Sequence, residues 1–377
     1  MERIIIFSHY TEIPGPSHKW LSFLQRKKYD VDYIFHPLIP AGRLTSEIKM
    51  KDKKLNFKIW QPLQFMLEGI ISLIICRLNA NNAPYDLAVC FDPFSFFNAY
   101  IYKSFYPLRK VVYYNIDYSK KRYGNILLEL IYQRLNLFAY LHCDYFFAIT
   151  SGFRKDLDPD NRLKKKEKCF LVSHTVRPRV PKKSPKIRNS LIYCGTLSGV
   201  VNFDDLFTAL NKLNKEGIPF IFDIYGKDGQ ERQLKKKISE YSLARYIRLK
   251  GITDYENLVD KILPSFMIGV CPYVTKTPLL SSDYLFQADN LTTKMVDYIS
   301  RGLPLISTFP YRNLKILEKN KFGFIVENDN GWYNALKIFF SDTSLYRLYS
   351  DNALKYSKRF DEEKVIGSLM RQILNHQ

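Results

Sequence analysis

The amino-acid sequence predicts an α/β protein built from two Rossmann-like, doubly wound domains that face each other across a cleft. Three observations lead to this prediction. The chain has 377 residues, which exceeds the usual size of a single hydrophobic core. Short apolar segments alternate with helical segments along most of its length, which is the pattern of a parallel sheet. The composition changes between residues 157 and 189, where lysines and prolines accumulate and separate two halves.

The N-terminal half predicts the first domain. Its apolar segments read as buried strands that end in polar residues, as expected where parallel strands present their carboxyl ends to a crevice. These segments are RIIIFSH, VDYIFHPL, YDLAVCFD, KVVYYNID and DYFFAITS. Helices are expected after the Gly/Pro turn in TEIPGPSHKW and over residues 59–78 and 124–141, whereas the basic stretch SEIKMKDKKLNFK reads as irregular. We therefore predict an N-terminal Rossmann-like domain over residues 1–170.

The C-terminal half repeats this alternation. The strands predicted there are SLIYCG, PFIFDIYG, IRLKG, MIGVCPY, PLIST and FGFIV, with helices at 203–215, 229–241, 255–262 and 313–319. We predict a linker over residues 171–189 and a second Rossmann-like domain over residues 190–360. The final helix, residues 361–377, is expected to pack back onto the N-terminal domain.

Composition and charge restrict the class of protein. With 46% hydrophobic and 15% aromatic residues, the chain is expected to be a packed globular protein and not a disordered one. The formal net charge of +20 predicts an anionic partner, which could be nucleic acid, a phosphorylated ligand or an acidic membrane surface. An AT-rich genome would produce part of this lysine excess without any functional demand.

The cysteines and the N-terminus indicate a cytoplasmic protein. The six cysteines form no C-x-x-C pair and show no metal-binding spacing with the six histidines, so they read as reduced and mostly buried, and no metal site is expected. The apolar run after Arg3 is too short for a secretory signal. Residues 59–78 contain Gln61, Gln64, Glu68 and Arg77 and read as an amphipathic or buried helix, not as a membrane span.

One polar segment of the C-terminal half predicts an anion site. The stretch DNLTTKMVDYISRGLPLIS, residues 289–307, places Asp289 and Asp297 eight positions apart around the start of a short helix that Gly302 ends. Backbone N–H groups and the positive end of the helix dipole collect anions at such a position. The segment therefore suggests phosphate binding.

The order of strands, glycines and acidic residues from residue 190 onward resembles the GT-B glycosyltransferases of the large retaining group often called family 4. The matching features are Tyr193-Cys194-Gly195 before a helix, Ile224-Tyr225-Gly226, Leu249-Lys250-Gly251, the run from Ser265 to Pro272, and Asp289-x7-Asp297 within DNLTTKMVDYISRGLPLI. In the family, the last feature is a Glu-x7-Glu signature that runs into EYMA-x-G-x-PVI. The resemblance covers nearly the whole chain and is clearest in its second half.

The resemblance implies a retaining, metal-independent glycosyltransferase without a cofactor. Its donor would be a nucleoside-diphosphate sugar and its acceptor a glycan or a lipid-linked molecule, as in bacterial surface polysaccharide synthesis. It places the donor sugar on Asp289 and the ribose on Asp297. The remaining donor-binding residues that it implies are Gly195, Thr196, Gly251, Asn290, Leu291, Thr292 and Thr293.

Two positions depart from the family pattern. Thr196 and Val201 stand where family members usually place an arginine and a lysine that grip the diphosphate. The resemblance therefore assigns this role to Lys294, in the first turn of the motif helix, with Lys276 and Arg301 as weaker candidates.

The N-terminal half carries the acceptor side in this family. The turn after the first strand corresponds to Gly15, Pro16, Ser17 and His18. Asp117, at the end of KVVYYNID, stands where the family often has an acidic or histidine residue that faces the acceptor. Ordinary structural roles are the alternatives, such as a helix cap for Asp289 and a turn residue for Asp117.

Two other functions are compatible with the sequence. A nucleotide-sugar epimerase with the GT-B fold would need further acidic and histidine residues in the cleft. A nucleic-acid-binding protein would need basic and aromatic residues interleaved on one face, but the lysines are scattered in loops, so no nucleic acid is expected as a partner.

The basic residues of the N-terminal half suggest an anionic membrane surface as a partner. They include the run Lys49, Lys51, Lys53 and Lys54, close in sequence to the amphipathic stretch 59–78. We therefore predict a cytoplasmic enzyme that is peripheral on the inner face of the cell membrane.

Overall fold

The structure is a computed structural model of the 377-residue chain. It describes residues 2–10, 15–37, 45–51, 53–58, 64–79, 84–116, 118, 124–160, 162–163, 166–177, 185–197, 199, 201–227, 229–274, 291–308 and 315–375. The chain divides into two compact units: unit 1 contains Met1–Ser173 and Glu363–Gln377, and unit 2 contains His174–Glu362. Residues 174–189, predicted as part of a linker, fall in unit 2.

The elements of the described residues follow each other in an alternating order. The strands are β1 (Arg3–Tyr10), β2 (Asp30–Pro37), β3 (Ser46–Met50), β4 (Lys53–Phe57), β5 (Tyr85–Cys90), β6 (Leu108–Asn115), β7 (Tyr145–Ala148), β8 (Cys169–Leu171), β9 (Ser190–Cys194), β10 (Ile221–Tyr225), β11 (Ile247–Gly251), β12 (Ile268–Cys271), β13 (Leu305–Thr308) and β14 (Gly323–Val326). The α-helices are α1 (Pro16–Arg26), α2 (Gln64–Asn79), α3 (Pro93–Lys103), α4 (Ile126–His142), α5 (Ser151–Leu157), α6 (Asp204–Lys215), α7 (Glu231–Glu240), α8 (Tyr255–Asn257), α9 (Thr293–Ile299), α10 (Lys315–Lys319), α11 (Asp329–Ser341), α12 (Thr343–Ser357) and α13 (Ser368–Asn375).

Unit 1 is built on a mixed sheet with the strand order β4-β3-β2-β1-β5-β6-β7-β8. Neighbouring strands from β2 to β8 are parallel, whereas β3 and β4 pair antiparallel at one edge. The strand order reverses between β1 and β5, which are paired from Ile4 with Leu87 to Phe7 with Cys90. Their carboxyl ends therefore lie side by side.

Helices cover both faces of this sheet. On one face, α1 and α13 contribute Trp20, Phe23 and Met370 to a core that includes Ile6 and other strand residues. Side chains alternate between the faces of a strand, so Phe7 points the other way, where its ring meets Tyr102 of α3 at a centroid distance of 5.8 Å. On that second face, α2, α3 and α4 pack side by side.

The structure differs from the sequence-based expectation at two places in unit 1. SEIKMKDKKLNFK is not irregular: most of it forms β3 and β4. In β3, Ile48 and Met50 are buried while the intervening residues are partly exposed, and this period of two stabilises a strand. Helix α3 was not expected, although Asp92 and Pro93 are a typical start signal: the Asp92 side chain accepts a hydrogen bond from the Ser95 N–H, and proline occupies the first helical position.

Unit 2 is built on a parallel sheet with the order β11-β10-β9-β12-β13-β14. Its strand order reverses between β9 and β12, where Ile192 pairs with Gly269. One face is covered by a core to which α6 and α11 contribute, and the other by a core to which α9 contributes Met295 and Ile299. The helix expected at 255–262 is the single turn α8 followed by a π-helical turn, Leu258–Ile262.

Candidate functional site

The candidate site of unit 2 lies at the carboxyl edge of its sheet, where the strand order reverses between β9 and β12. In open α/β sheets, ligands bind outside the carboxyl ends of the strands at such a reversal. Cys194 ends β9 there and Gly195 follows it, and Tyr273 lies shortly after β12. Helix α9 packs against β12 and brings Lys294 to the same edge.

Three glycines allow the strand ends to approach one another closely. The Gly195 N–H donates to the Tyr225 carbonyl at 2.9 Å, and the Gly226 N–H donates to the Gly251 carbonyl at 2.8 Å. A Cβ atom on Gly226 would lie 2.0 Å from the Gly195 carbonyl oxygen, so no larger residue fits. Gly195 has a φ of +149° and Gly251 a φ of +67°, conformations that favour glycine. The sequence-predicted residues Gly195 and Gly251 therefore lie on one backbone edge.

Lys294 places a cation beside this edge. Its Nζ donates a hydrogen bond to the Tyr193 hydroxyl at 3.1 Å and lies 4.5 Å from the centre of the Tyr193 ring and 5.2 Å from that of Tyr273. The Tyr193 hydroxyl in turn donates to the Thr196 carbonyl at 2.8 Å. A Cβ atom on Gly195 would lie 2.7 Å from Lys294 Nζ, so the ammonium is in direct reach of the end of β9.

The electrostatics of this group favour a charged lysine and a neutral phenol. Burial by itself lowers the pKa of Lys294, but its interactions with Tyr193, including the hydrogen bond to the Tyr193 hydroxyl, outweigh it, so the pKa lies above its usual value. Burial raises the pKa of Tyr193. The result is a positioned cation between two aromatic rings, which suits a phosphate group.

Two side-chain contacts connect the start of α9 to other parts of unit 2. The hydroxyls of Thr292 and Tyr273 lie 3.2 Å apart, and the hydroxyl of Thr293 lies 3.2 Å from Nδ1 of His174. Helix α9 has seven residues, so its macrodipole is small and the cationic character of the site depends on Lys294. Leu291 is buried in the core beneath the helix.

Asp297 lies on the buried side of α9. The residue is 6% exposed, and its Oδ1 accepts a hydrogen bond from the Tyr255 hydroxyl at 2.7 Å. Burial and the Asp297 charge both raise the pKa of Tyr255, which therefore stays a neutral donor. Tyr255 begins the short helix after β11 and was not singled out from the sequence, because an isolated tyrosine carries no motif.

Of the two weaker candidates for the diphosphate grip, Arg301 does not join Lys294. Arg301 is 5% exposed, and its guanidinium donates to the Val259 carbonyl at 2.8 Å and to the Asp260 carboxylate at 3.2 Å. It therefore stabilises the turn after α8. Lys276 lies outside the described residues.

The other predicted residues lie either outside the described part of the chain or in unit 1. Asp117, Asp289 and Asn290 lie outside the described residues. The predicted acceptor-side residues start helix α1 in unit 1: Gly15 is its N-cap, with extended backbone that does not require glycine, and Pro16 is its first residue. Ser17 is buried, and the His18 ring packs against Phe35 at a centroid distance of 5.2 Å. Burial lowers the pKa of His18, so it is mainly neutral near pH 7.

Unit 1 has an ionic cluster at its own strand reversal, and the sequence did not reveal it. His9, near the end of β1, contacts Glu68 of α2 through Nε2 at 2.9 Å and Asp92, just after β5, through Nδ1 at 3.0 Å. The side chains of His9 and Glu68 are each 1% exposed. The Asn98 side chain donates a further hydrogen bond to Glu68 at 3.0 Å. This cluster connects β1, α2 and the start of α3.

Both carboxylates stabilise the imidazolium form of His9. Burial alone lowers the pKa of His9, but Asp92 and Glu68 raise it to about 10. The charge of His9 in turn outweighs the effect of burial on Glu68 and Asp92, whose pKa values are lowered. An isolated histidine at a strand end gave no signal for this arrangement, since its partners are 59 and 83 residues away in the sequence.

Comparison with known proteins finds a matching family model and a curated relative. Residues 176–356 match the family model described as glycosyl transferases group 1. The GtfA subunit of a UDP-N-acetylglucosamine–peptide N-acetylglucosaminyltransferase from Streptococcus pneumoniae is 24% identical over 187 residues, which are 49% of this chain and 34% of the relative. The chain thus spans about a third of the length of this curated relative.

Two solved structures have the same fold over essentially the whole chain. Anabaena HepE, in complex with UDP and glucose, superposes with a TM-score of 0.68 at 12% identity and covers 100% of both chains. WaaG, a glycosyltransferase involved in lipopolysaccharide biosynthesis, superposes with a TM-score of 0.64 at 12% identity and covers 98% of this chain and 99% of WaaG. The predicted α/β fold with two Rossmann-like units is confirmed, with an antiparallel edge on the sheet of unit 1. Residues 176–356, just under half of the chain, are similar to the glycosyl transferases group 1 family, and the fold of the chain is that of solved GT-B structures such as HepE and WaaG.

Proposed function

We propose that this protein is a retaining, metal-independent glycosyltransferase that moves a sugar from a nucleoside diphosphate, with UDP as the first candidate, to a glycan or lipid-linked acceptor. The observation that carries this proposal is the ammonium of Lys294, held beside Gly195 at the strand reversal of unit 2. The family match and the UDP bound to HepE support a nucleotide donor. The role of WaaG in lipopolysaccharide biosynthesis supports a place in bacterial surface polysaccharide synthesis.

The proposed chemistry assigns the leaving group to unit 2. The bond between the anomeric carbon and the diphosphate oxygen breaks, and its electron pair stays on the diphosphate. The acceptor hydroxyl forms the new bond on the same face of the sugar, and its proton passes to the departing phosphate oxygen. Lys294 stabilises the negative charge that grows on the diphosphate, because it is a preorganised cation that needs no rearrangement during the reaction.

The other proposed roles follow the motif. Asp297, held by Tyr255, binds the ribose hydroxyls, and Asp289 binds the donor sugar. Residues 290–293, together with Gly195, Thr196 and Gly251, line the sugar–phosphate turn. Asp117 and residues 15–18 are proposed for the acceptor side.

Release of nucleoside diphosphate from a panel of nucleotide sugars tests the proposal. We expect Lys294→Met to lower turnover about 100-fold or more, as loss of one preorganised charge-stabilising group usually does. Lys236→Met is the matched control, because Lys236 is an exposed lysine of the same unit, with a side chain 80% accessible. Equal turnover of both variants and wild type would contradict the proposal. An isomerised nucleotide sugar without nucleoside diphosphate release would identify an epimerase instead.

The proposed roles of Asp289 and Asp297 can be distinguished by turnover in the same assay and by UDP affinity. Asp289→Asn should reduce turnover and leave UDP affinity nearly unchanged, whereas Asp297→Ala should weaken UDP binding itself. Small and equal effects of both substitutions would mean that the motif only caps and supports a helix. The anomeric configuration of the product, followed by NMR, tests retention.

We also propose that the enzyme works in the cytoplasm at the inner face of the cell membrane. Lys51, Lys53 and Lys54 are exposed around the β3–β4 hairpin, although Lys54 is paired with Glu47 at 2.9 Å. None of the helices in the described part of the chain combines the length and the apolar character needed to cross a bilayer. Charge reversal at Lys49, Lys51, Lys53 and Lys54 tests whether this run contributes to binding of anionic vesicles.

A further inference from the structure

Unit 1 exposes a group of large hydrophobic side chains on the helices α2, α3 and α4 and in the turn after α3. We call this group the apolar face; its exposed fractions run from 37% for Tyr100 to 82% for Ile126. Its members are Ile70, Ile74, Phe97, Tyr100, Phe105, Ile126, Leu127, Leu128, Leu130, Ile131 and Leu141. Single exposed hydrophobic residues are common, whereas a group of this size on neighbouring helices indicates an interaction surface.

The apolar face is continuous across α3 and α4. Helix α3 packs between α2 and α4. The Phe138 ring of α4 contacts Tyr100 at a centroid distance of 4.9 Å and Phe97 at 6.1 Å, so aromatic side chains bridge α3 and α4. The members on these two helices therefore form one surface.

Helix α4 is amphipathic, but its aliphatic side is exposed and its more polar side is buried. A helix on the surface of a soluble protein normally buries its apolar side and exposes its polar side. Here the buried side of α4 contains Tyr132, Asn136 and Tyr140, and Asn136 hydrogen-bonds the Tyr113 hydroxyl at 2.6 Å. The exposed side carries aliphatic residues, with Ile126 at 82% and Leu127 at 63%. Folding of unit 1 does not require this arrangement, so the aliphatic side serves something outside it.

The charges around the apolar face are cationic. Lys103 of α3 and Arg134 of α4 are exposed among its members. In the described parts of α2, α3 and α4, the acidic residues are withdrawn from the surface: Glu68 is 1% exposed, and Glu129 is partly buried and accepts the Gly124 N–H. This combination complements an anionic apolar boundary.

We propose that the apolar face of unit 1 docks on an anionic lipid bilayer. The aliphatic side chains of α4 would enter the boundary between headgroups and acyl chains, while Lys103 and Arg134 remain at the level of the lipid phosphates. The proposal rests on the proposed location at a membrane but assigns the contact to a surface other than the lysine hairpin. Cations interspersed among protruding aliphatic side chains match an anionic lipid surface, because long basic side chains can reach the phosphates while the aliphatic side chains enter the acyl region.

Co-sedimentation of the full chain with vesicles tests the proposal. The probes are phosphatidylcholine vesicles and vesicles that contain about one third phosphatidylglycerol. The test variant is Ile126→Ser/Leu127→Ser/Ile131→Ser, whose positions are 46% to 82% exposed, so the fold should tolerate it. The matched control is Ile252→Ser/Ile338→Ser/Leu348→Ser, three aliphatic residues of unit 2 that are 37% to 45% exposed.

The expected result is binding of wild type and control to the anionic vesicles, with about tenfold or greater loss of binding for the test variant. Lys103→Glu/Arg134→Glu should weaken binding at low salt and little at high salt. Equal binding of the test variant and wild type, or no binding of wild type, would overturn the proposal. So would a concentration-dependent dimer without vesicles that the test variant converts to monomers, because the face would then be a protein interface. Release of UDP from a soluble donor, measured without lipid, reports on the proposed activity independently of these outcomes.

Discussion

The ionic cluster of unit 1 predicts a specific dependence of stability on pH. His9 is 1% exposed by side chain and contacts both Glu68 and Asp92. Its pKa rises from 6.5 to about 10 in the folded chain, and at ~1.4 kcal/mol for each pH unit this corresponds to at most about 5 kcal/mol of stabilisation. A histidine whose pKa is raised by folding stabilises the folded chain fully at pH values below its pKa in the unfolded chain. This stabilisation is lost as the pH rises through its pKa in the folded chain. Unit 1 should therefore lose stability between about pH 6.5 and pH 10.

Replacement of His9 by glutamine tests this expectation. At about pH 6 the variant leaves two buried carboxylates without their cation, which should cost about 3–5 kcal/mol of unfolding free energy. At about pH 10 the wild-type imidazole has itself lost about half of its charge and most of the linked stabilisation, so the difference between the two proteins should shrink to about 1 kcal/mol. Below the usual carboxylate pKa values, the stabilisation by Glu68 and Asp92 is also lost, because their folded pKa values are lowered.

Urea unfolding followed by tryptophan fluorescence gives the required free energies. Trp20 is buried in unit 1, and a Trp332→Phe background removes the tryptophan in the core of unit 2. His36→Gln is the control: the His36 ring lies 6.0 Å from that of His9, but burial lowers its pKa to about 4, so its effect should not change above neutral pH. Parallel stability curves of wild type and His9→Gln between these pH values would refute the reasoning.

Three further predictions concern unit 2 and the proposed reaction. Tyr255→Phe removes the hydroxyl that donates to Asp297 and should weaken UDP binding about five- to tenfold in calorimetric titrations. Unchanged UDP affinity would contradict the proposal that Asp297 binds the ribose. Gly226→Ala should lower the unfolding free energy of unit 2 by about 1–3 kcal/mol, because its Cβ would lie 2.0 Å from the Gly195 carbonyl oxygen, while Gly199→Ala, with open space around its Cβ, should be neutral. Sugar transfer should persist in EDTA, and a loss that Mg²⁺ restores would exclude the metal-independent mechanism.

Much of the fold followed from local patterns. Apolar segments such as RIIIFSH and SLIYCG are strands in the structure because burial on both faces of a parallel sheet requires a short continuous apolar run. Helix α4 was expected at 124–141 and spans Ile126–His142, with Asn125 as its cap. The β3–β4 hairpin was missed because its charges dominate the composition, although Ile48 and Met50 alternate with polar residues.

In the candidate site, the local sequence pattern predicted individual residues but not the residues that contact them. The motif alone indicated Lys294 and Asp297, because their spacing from the glycine-terminated strands resembles a known order. It did not indicate Tyr193 as the partner of Lys294, which is 101 residues away, or Tyr255 as the partner of Asp297, which is 42 residues away. Such pairs depend on how α9 and α8 pack on the sheet, and no periodicity in the chain encodes that packing.

The sequence by itself determined the class of the protein: two α/β halves, a glycine at the end of each of three strands, and an acidic motif with a lysine between its two carboxylates. These features are local, since strand burial, backbone conformation and residue spacing are properties of short segments. Only the tertiary structure decided which ionisable side chains contact and charge one another and which apolar side chains are exposed to solvent. His9 is cationic because two distant carboxylates meet it inside unit 1, and Ile126 is exposed because α4 turns its tyrosines and Asn136 towards the sheet. Both outcomes arise from desolvation and packing between elements far apart in the chain, which composition and spacing do not specify.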